Sequence, residues 1–195
     1  MNFKVPRVLA AIGLGAALAI SACAPAQNEA TSEQSLARAP ITQEEVVAAQ
    51  NAWGDALVRI ATTHDERGID AARTVAGEVI DSAYAYASTP VLFKPTLAAP
   101  PTTFRTTREG ALSYFVGGDP NFPGDTGFAL RGWRNYEIQN AAIFIDGDTA
   151  LTMGNVRLTD RNGAVTVVDK TWGFHRGEDG RLRIVLHHSS LPYQP

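Results

Sequence analysis

"NAAIFIDGDTALTMGNVRLTDRNGAVTVVDKTWGF", residues 140–174, decides the fold. Two dipeptides, Asp146-Gly147 and Asn162-Gly163, cut it into three runs rich in β-branched and aromatic residues. Asp-Gly and Asn-Gly supply the positive φ that tight hairpin turns need, so the runs read as consecutive antiparallel strands. A further pair, Asp179-Gly180, separates "FHRGE" from "RLRIVLHHSS" and adds another hairpin. The C-terminal half is therefore a meander of long strands.

The residues before it follow a helical period. Thr42-Gln43-Glu44-Glu45 has the form of a capping box, and Val46, Ala49, Trp53, Ala56, Leu57 and Ile60 recur at helical spacing, which predicts a helix over about 43–64. Gly68 stops it, and Asp70 caps a second helix with the apolar stripe Ala71, Val75, Val79, Ala83 and Tyr86, ended by Pro90. "PVLFKPT" (90–96) reads as a strand. Thr106 and Glu109 form a second capping box for a short helix through Ala111, Leu112 and Phe115, which ends at Gly117-Gly118. "GGDPNFPGDTG" (117–127) is a long loop of the kind that borders a pocket.

Helices first and strands after make the class α+β. The order is that of the cone-shaped nuclear transport factor 2-like fold, with N-terminal helices packed on a curved antiparallel sheet and a pocket between them. The likeness is one of element order and carries no function by itself.

Composition narrows the function only a little. The chain has 195 residues, 45% hydrophobic and 19% charged, enough for one packed domain and a tail. A net charge of −3 argues against a general nucleic-acid binder.

The N-terminus reads as a targeting segment. Lys4 and Arg7 precede an apolar run from Val8 to Ile20, followed by Ser21-Ala22-Cys23. The run is short for a membrane span. Cys23, the chain's one cysteine, stands where a bacterial lipobox places its lipidated thiol. Residues 1–22 are expected to be a lipoprotein signal peptide. Removing them, with Lys4 and Arg7 and no acidic residue, leaves 173 residues and a net charge of −5. Residues 23–40 are rich in Ala, Ser, Glu, Gln and Pro and read as a flexible tether. Ala24 after the cysteine favours a periplasmic location on the outer membrane, held there by the lipid anchor alone.

The last strand poses the functional question, because the apolar Ile184-Val185-Leu186 ends in His187-His188-Ser189-Ser190. Period two puts Leu182, Ile184, Leu186, His188 and Ser190 on one face and Arg181, Arg183, Val185, His187 and Ser189 on the other. The first row begins apolar, so His188 and Ser190 are expected to continue it inward, with His187 and Ser189 as the fallback pair. An inward row turning from Leu to His and Ser suggests a dry core opening into a wet pocket.

Residues 43–193 resemble the iota-class carbonic anhydrases. The resemblance is carried by "AAQNAWGDALV", "PVLFKPTLA", "FRTTREGALSYFVGGDPNFPGDTGFAL", "GWRNYEIQNAAIFIDGDTALTMGNV", "VDKTWGF" and "LRIVLHHSSLP". The terminal strands also look like those of the calcium/calmodulin-dependent protein kinase II association domain. The resemblance makes 41–195 an association-domain-like catalytic domain. It implies reversible hydration of CO2 to bicarbonate and a proton, and a homo-oligomer, at least a dimer, built through the sheet. It further implies that Thr96, Tyr114, a His and a Ser hold the substrate. Facing assigns the last two to His188 and Ser190, with His188 moving the proton.

Family members are described both with zinc or manganese and without metal. The usual motif has three histidines before the serines, where this chain has Leu186 in the first place. A zinc site that generates hydroxide wants three protein ligands and an open position, and the other histidines, His64 and His175, stand far off in sequence. The expectation is no metal and no other cofactor. Phe93, Phe115 and Trp172 are candidates for walling and drying the pocket. Two other readings stand beside this one. The domain could be a non-catalytic oligomerisation or small-ligand module of the same fold. It could also be an isomerase- or hydratase-like enzyme using an inward carboxylate, for which Asp169 is the candidate.

Overall fold

The computed structural model describes residues 39–194. The expected signal peptide, Cys23 and all but the end of the tether lie outside the described residues. Among the described residues no helix is long and apolar enough to cross a membrane.

Helix α1, Gln43–Arg67, begins at the expected capping box: Thr42 Oγ1 accepts from the Glu45 amide at 3.2 Å, and Glu45 Oε2 accepts from the Thr42 amide at 2.8 Å. It runs to Arg67, and Gly68, at φ 81°, ends it and starts helix α2, Ile69–Ala83. Asp70 therefore lies inside the first turn of α2 and is not its cap. The core row of α2 is Ala72, Ala76, Val79 and Ile80, whereas Ala71, Val75 and Ala83 are half-buried on its flank. The helix ends well before Pro90, because Tyr84 turns extended and bridges to Ile184.

Strand β1, Leu92–Lys94, is followed by helix α3, Arg108–Val116. The cap of α3 is Thr107, whose hydroxyl accepts from the Gly110 amide at 3.2 Å, one residue later than expected. The strands β2 (Trp133–Asp146), β3 (Thr149–Asp160), β4 (Val165–Arg176) and β5 (Leu182–Ser190) form the meander, with turns at the three expected glycines. The sheet order is β1-β5-β4-β3-β2, antiparallel except for β1 beside β5.

Three irregularities interrupt the ladder: one at Arg134 near the start of β2, and two bulges that each face a glycine. In β2, Ala141 is left out of the register between Asn140 and Ala142, opposite Gly154, where a Cβ would lie 2.1 Å from the Gln139 carbonyl oxygen. In β5, Val185 is left out between Ile184, which pairs with Phe174, and Leu186, which pairs with Gly173. A Cβ on Gly173 would stand 3.0 Å from that of Leu186. Bulges bend and twist the bulged strand. The helices cover the inner face, where Trp53, Leu57 and Ile80 meet Val156, Trp172 and Ile184. The outer face leaves Leu92, Phe144 and Met153 about three-fifths exposed, with Leu151 beside them.

Candidate active site

The bulge at Val185 decides which residues of the last strand enter the core. One extra residue inverts the alternation beyond it. Ile184 points inward, and so do His187 and Ser189, which are 1% and 2% exposed. His188 is exposed and Ser190 half-exposed, on the outer face beside Thr171 and Asp169. The expectation that His188 and Ser190 face the pocket is thus corrected. It assumed an unbroken period of two, and the fallback pair is the inward one.

Ser189 meets Thr96, which follows β1, through a hydroxyl–hydroxyl contact of 2.7 Å. The parallel pairing of β1 with β5 brings this about by setting Phe93 beside His187 and Lys94 beside His188. Lys94 Nζ donates to the Ser189 carbonyl at 3.2 Å, tying the two strand ends together. Tyr114 comes from α3. Its ring stacks on Phe128 at 5.4 Å and stands edge-on to Phe93 at 5.6 Å. Its hydroxyl is buried near Thr96 and the Leu97 amide but has no hydrogen-bond partner of normal geometry. Burial pushes this phenol above its ordinary pKa, so Tyr114 keeps its proton at neutral pH.

His187 lies under the hydroxyls and is held on both nitrogens. Nδ1 lies 2.8 Å from the Tyr84 hydroxyl and Nε2 lies 2.6 Å from Lys170 Nζ. Tyr84 in turn accepts from Trp53 Nε1 at 2.9 Å. Phe93 stacks on the imidazole with ring centres 4.3 Å apart. Lys170 Nζ continues the row to Ser189 Oγ at 3.3 Å. A line of hydrogen-bonding contacts therefore runs from Trp53 in α1 through Tyr84, His187, Lys170 and Ser189 to Thr96. Burial holds both His187 and Lys170 well below their ordinary pKa values. His188 is also lowered, by partial burial first and then by Lys94 and Lys170.

The aromatic candidates Phe93, Phe115 and Trp172 are all buried around this row. Asp169 is on the outer face and accepts from Asn155 Nδ2 at 2.8 Å, so no inward carboxylate is available from β4. Among the described residues no group of three or more His, Cys, Asp or Glu side chains is placed to hold a metal ion.

Sequence reasoning missed Tyr84, Lys170 and Trp53 as members of the site. It also missed the brace behind Tyr114, where Arg105 pairs with Asp125 at 2.7 Å, both almost fully buried. Ser113 Oγ donates to the same carboxylate at 2.8 Å, pinning the loop over 117–127 to α3.

Residues 44–191 match the family model described as metal-independent carbonic anhydrase. A metal-independent carbonic anhydrase of Nostoc sp. (strain PCC 7120) is 54% identical over 204 aligned positions covering all of both chains. The crystal structure of the iota-carbonic anhydrase of a cyanobacterium, complexed with bicarbonate, is 62% identical. It covers 81% of this chain and 96% of its own, with a TM-score of 0.80. A nuclear transport factor 2-like superfamily protein of Salmonella enterica aligns at 14% identity over 77% of this chain and 91% of its own, with a TM-score of 0.45.

Proposed function

The chain belongs to the metal-independent carbonic anhydrase family, and from that premise we propose that Thr96, Ser189 and Tyr114 hold CO2 and bicarbonate while His187 orients them. The reaction is the reversible hydration of CO2. A water oxygen bonds to the CO2 carbon, one C=O electron pair becomes an oxyanion, and a proton is released. Donors aimed at the developing oxyanion lower the barrier, and more so where water is excluded.

The observation that carries the assignment is the Tyr114 hydroxyl, buried without a partner beside the Thr96–Ser189 pair. A buried hydroxyl left unpaired costs about 1–3 kcal/mol, and a substrate oxygen would recover that cost. Thr96 and Ser189 share one hydroxyl proton between them, which leaves the other free to donate. The bicarbonate bound by the 62%-identical relative supports the same ligand here. His187 has both nitrogens engaged by protein groups. That arrangement suits a residue that orients the hydroxyl row.

The test is CO2 hydration by the purified chain, before and after exhaustive chelation, with metal analysis of the same sample. Activity that survives chelation in metal-free protein is the expected result. Activity lost to the chelator and restored by zinc would refute it.

Two further readings belong here. The apolar outer sheet face around Leu92, Phe144 and Met153 supports a homo-oligomer built through the sheet. The charged start, short apolar run and Cys23 support a lipid-anchored periplasmic protein, favouring the outer membrane.

A further inference from the structure

Lys170 is a basic side chain inside the core, 4% exposed, and among the described residues it takes part in no salt bridge. Its Nζ touches His187 Nε2 at 2.6 Å and Ser189 Oγ at 3.3 Å. The Trp53 and Trp172 rings lie 4.4 and 5.1 Å from it. The titratable groups that share this row and strand end are His187, Tyr84, Lys94 and His188, none of them a carboxylate. Asp169, next to Lys170 in the chain, turns to the outer face and pairs with Asn155.

Counting donors along the row fixes the protons. Trp53 Nε1 can only donate, so the Tyr84 oxygen accepts from it. The single Tyr84 proton is then left for His187 Nδ1, its other partner. A neutral imidazole that accepts at Nδ1 carries its proton on Nε2 and donates it across the 2.6 Å contact. Lys170 Nζ has to accept that bond, and only an uncharged amine has the lone pair to do so.

The opposite assignment, a charged ammonium donating to Nε2, moves the ring proton to Nδ1. There it would be a second donor to the Tyr84 oxygen, and the Tyr84 proton would be left without an acceptor in the core. It also buries a cation with no counter-ion. The two tryptophan faces would offset only part of the desolvation penalty of that cation. Burial depresses the basicity of Lys170 in the same sense.

We propose that Lys170 is a positioning residue that works as a neutral amine, accepting from His187 Nε2 and donating to Ser189 Oγ. Ser189 then donates to Thr96, and the Thr96 proton is the free one, turned toward the substrate. The direction of the whole row is set by an indole five contacts from Thr96. The substrate end of this proposal rests on the assignment of Thr96 and Ser189 above.

Nuclear magnetic resonance of the full-length chain, labelled with 15N and 13C in lysine and histidine, tests the ionisation directly at neutral pH. Lys170 should show the shifts of a neutral amine, and His187 should carry its proton on Nε2. Lys170→Arg, obligately charged, and Lys170→Met should each lower kcat for CO2 hydration by about ten-fold or more with KM changed less than about two-fold. An ammonium at Lys170, a proton on His187 Nδ1, or a folded Lys170→Met that keeps its kcat would overturn the proposal. If the variants fail to fold, the resonance measurement on the unaltered chain still decides. A charged Lys170 in an active enzyme sinks this proposal alone. An inactive but folded wild-type chain sinks the reading of the site and leaves the protonation result standing.

Discussion

Ser189→Ala removes one oxygen from the centre of the row. That oxygen contacts Thr96 Oγ1 at 2.7 Å and Lys170 Nζ at 3.3 Å, in a side chain only 2% exposed. Without it, Thr96 loses the partner that turns its proton outward, and Lys170 loses an acceptor. A hydrogen bond to developing charge is worth about 1.5–3 kcal/mol, so kcat/KM should fall by roughly 10- to 150-fold. The fold should lose only about 1 kcal/mol, the net worth of an ordinary hydrogen bond. Ser190→Ala deletes the same atom one residue on, where the bulge turns it to the outer face beside Asp169. It should stay within about two-fold of wild type, as surface changes usually do. Stopped-flow CO2 hydration with a pH indicator, alongside urea denaturation of each variant, separates the two effects. A Ser190→Ala enzyme more impaired than Ser189→Ala would mean that the facing derived from the Val185 bulge is wrong.

Tyr114→Phe removes a buried hydroxyl with no protein partner, so hydration should fall by about ten-fold while thermal stability stays equal or rises. A lowered melting temperature with unchanged activity would show that the hydroxyl serves the fold alone. Asp125→Ala leaves the Arg105 guanidinium buried without its partner and should cost about 3–5 kcal/mol in urea denaturation. A loss under about 1 kcal/mol would show that the loop at 117–127 does not depend on this brace. Residues 41–195 alone should scatter light as a dimer or larger at micromolar concentration, and a monomer mass would count against assembly through the sheet. Cys23→Ser should abolish lipid labelling, and a variant still labelled like wild type would remove the anchor reading.

The meander was legible because its turns are written locally. Asp146-Gly147, Asn162-Gly163 and Asp179-Gly180 each mark a hairpin that the structure contains. The start of α1 was equally local, since Thr42 and Glu45 cap each other. The cap of α3 was misplaced by one because Thr106 and Thr107 are adjacent and the spacing rule alone chose the first. The facing of the last strand failed for a different reason. Alternation counts residues within one strand, whereas a bulge is a property of two. The available signal was Gly173, since a glycine inside a strand marks a bulge or a close approach. Read that way, it would have reversed His187 and His188. Tyr84, Lys170 and Trp53 gave no local signal at all. Their meeting with His187 spans up to 134 positions of sequence and depends on β4 pairing with β5 and on Tyr84 bridging to Ile184.

The same bulge changes what Leu186 means. From sequence, a leucine where the family motif has a histidine looks like the loss of a chelating partner for an inward imidazole. In the structure Leu186 pairs with Gly173 and His188 with Thr171, so both lie on the outer face. A histidine at 186 would share that face with His188, across the sheet from Thr96 and Ser189. The inward face of β5 carries a single imidazole, and a tyrosine hydroxyl and an amine occupy its two nitrogens. What distinguishes the hydroxyl site is thus the identity of His187's neighbours. Replacing Tyr84 by an acceptor-only group would reverse the ring's tautomer and every proton after it. The orientation of Thr96 is for that reason as much a property of Trp53 and Tyr84 as of the residues that meet the substrate.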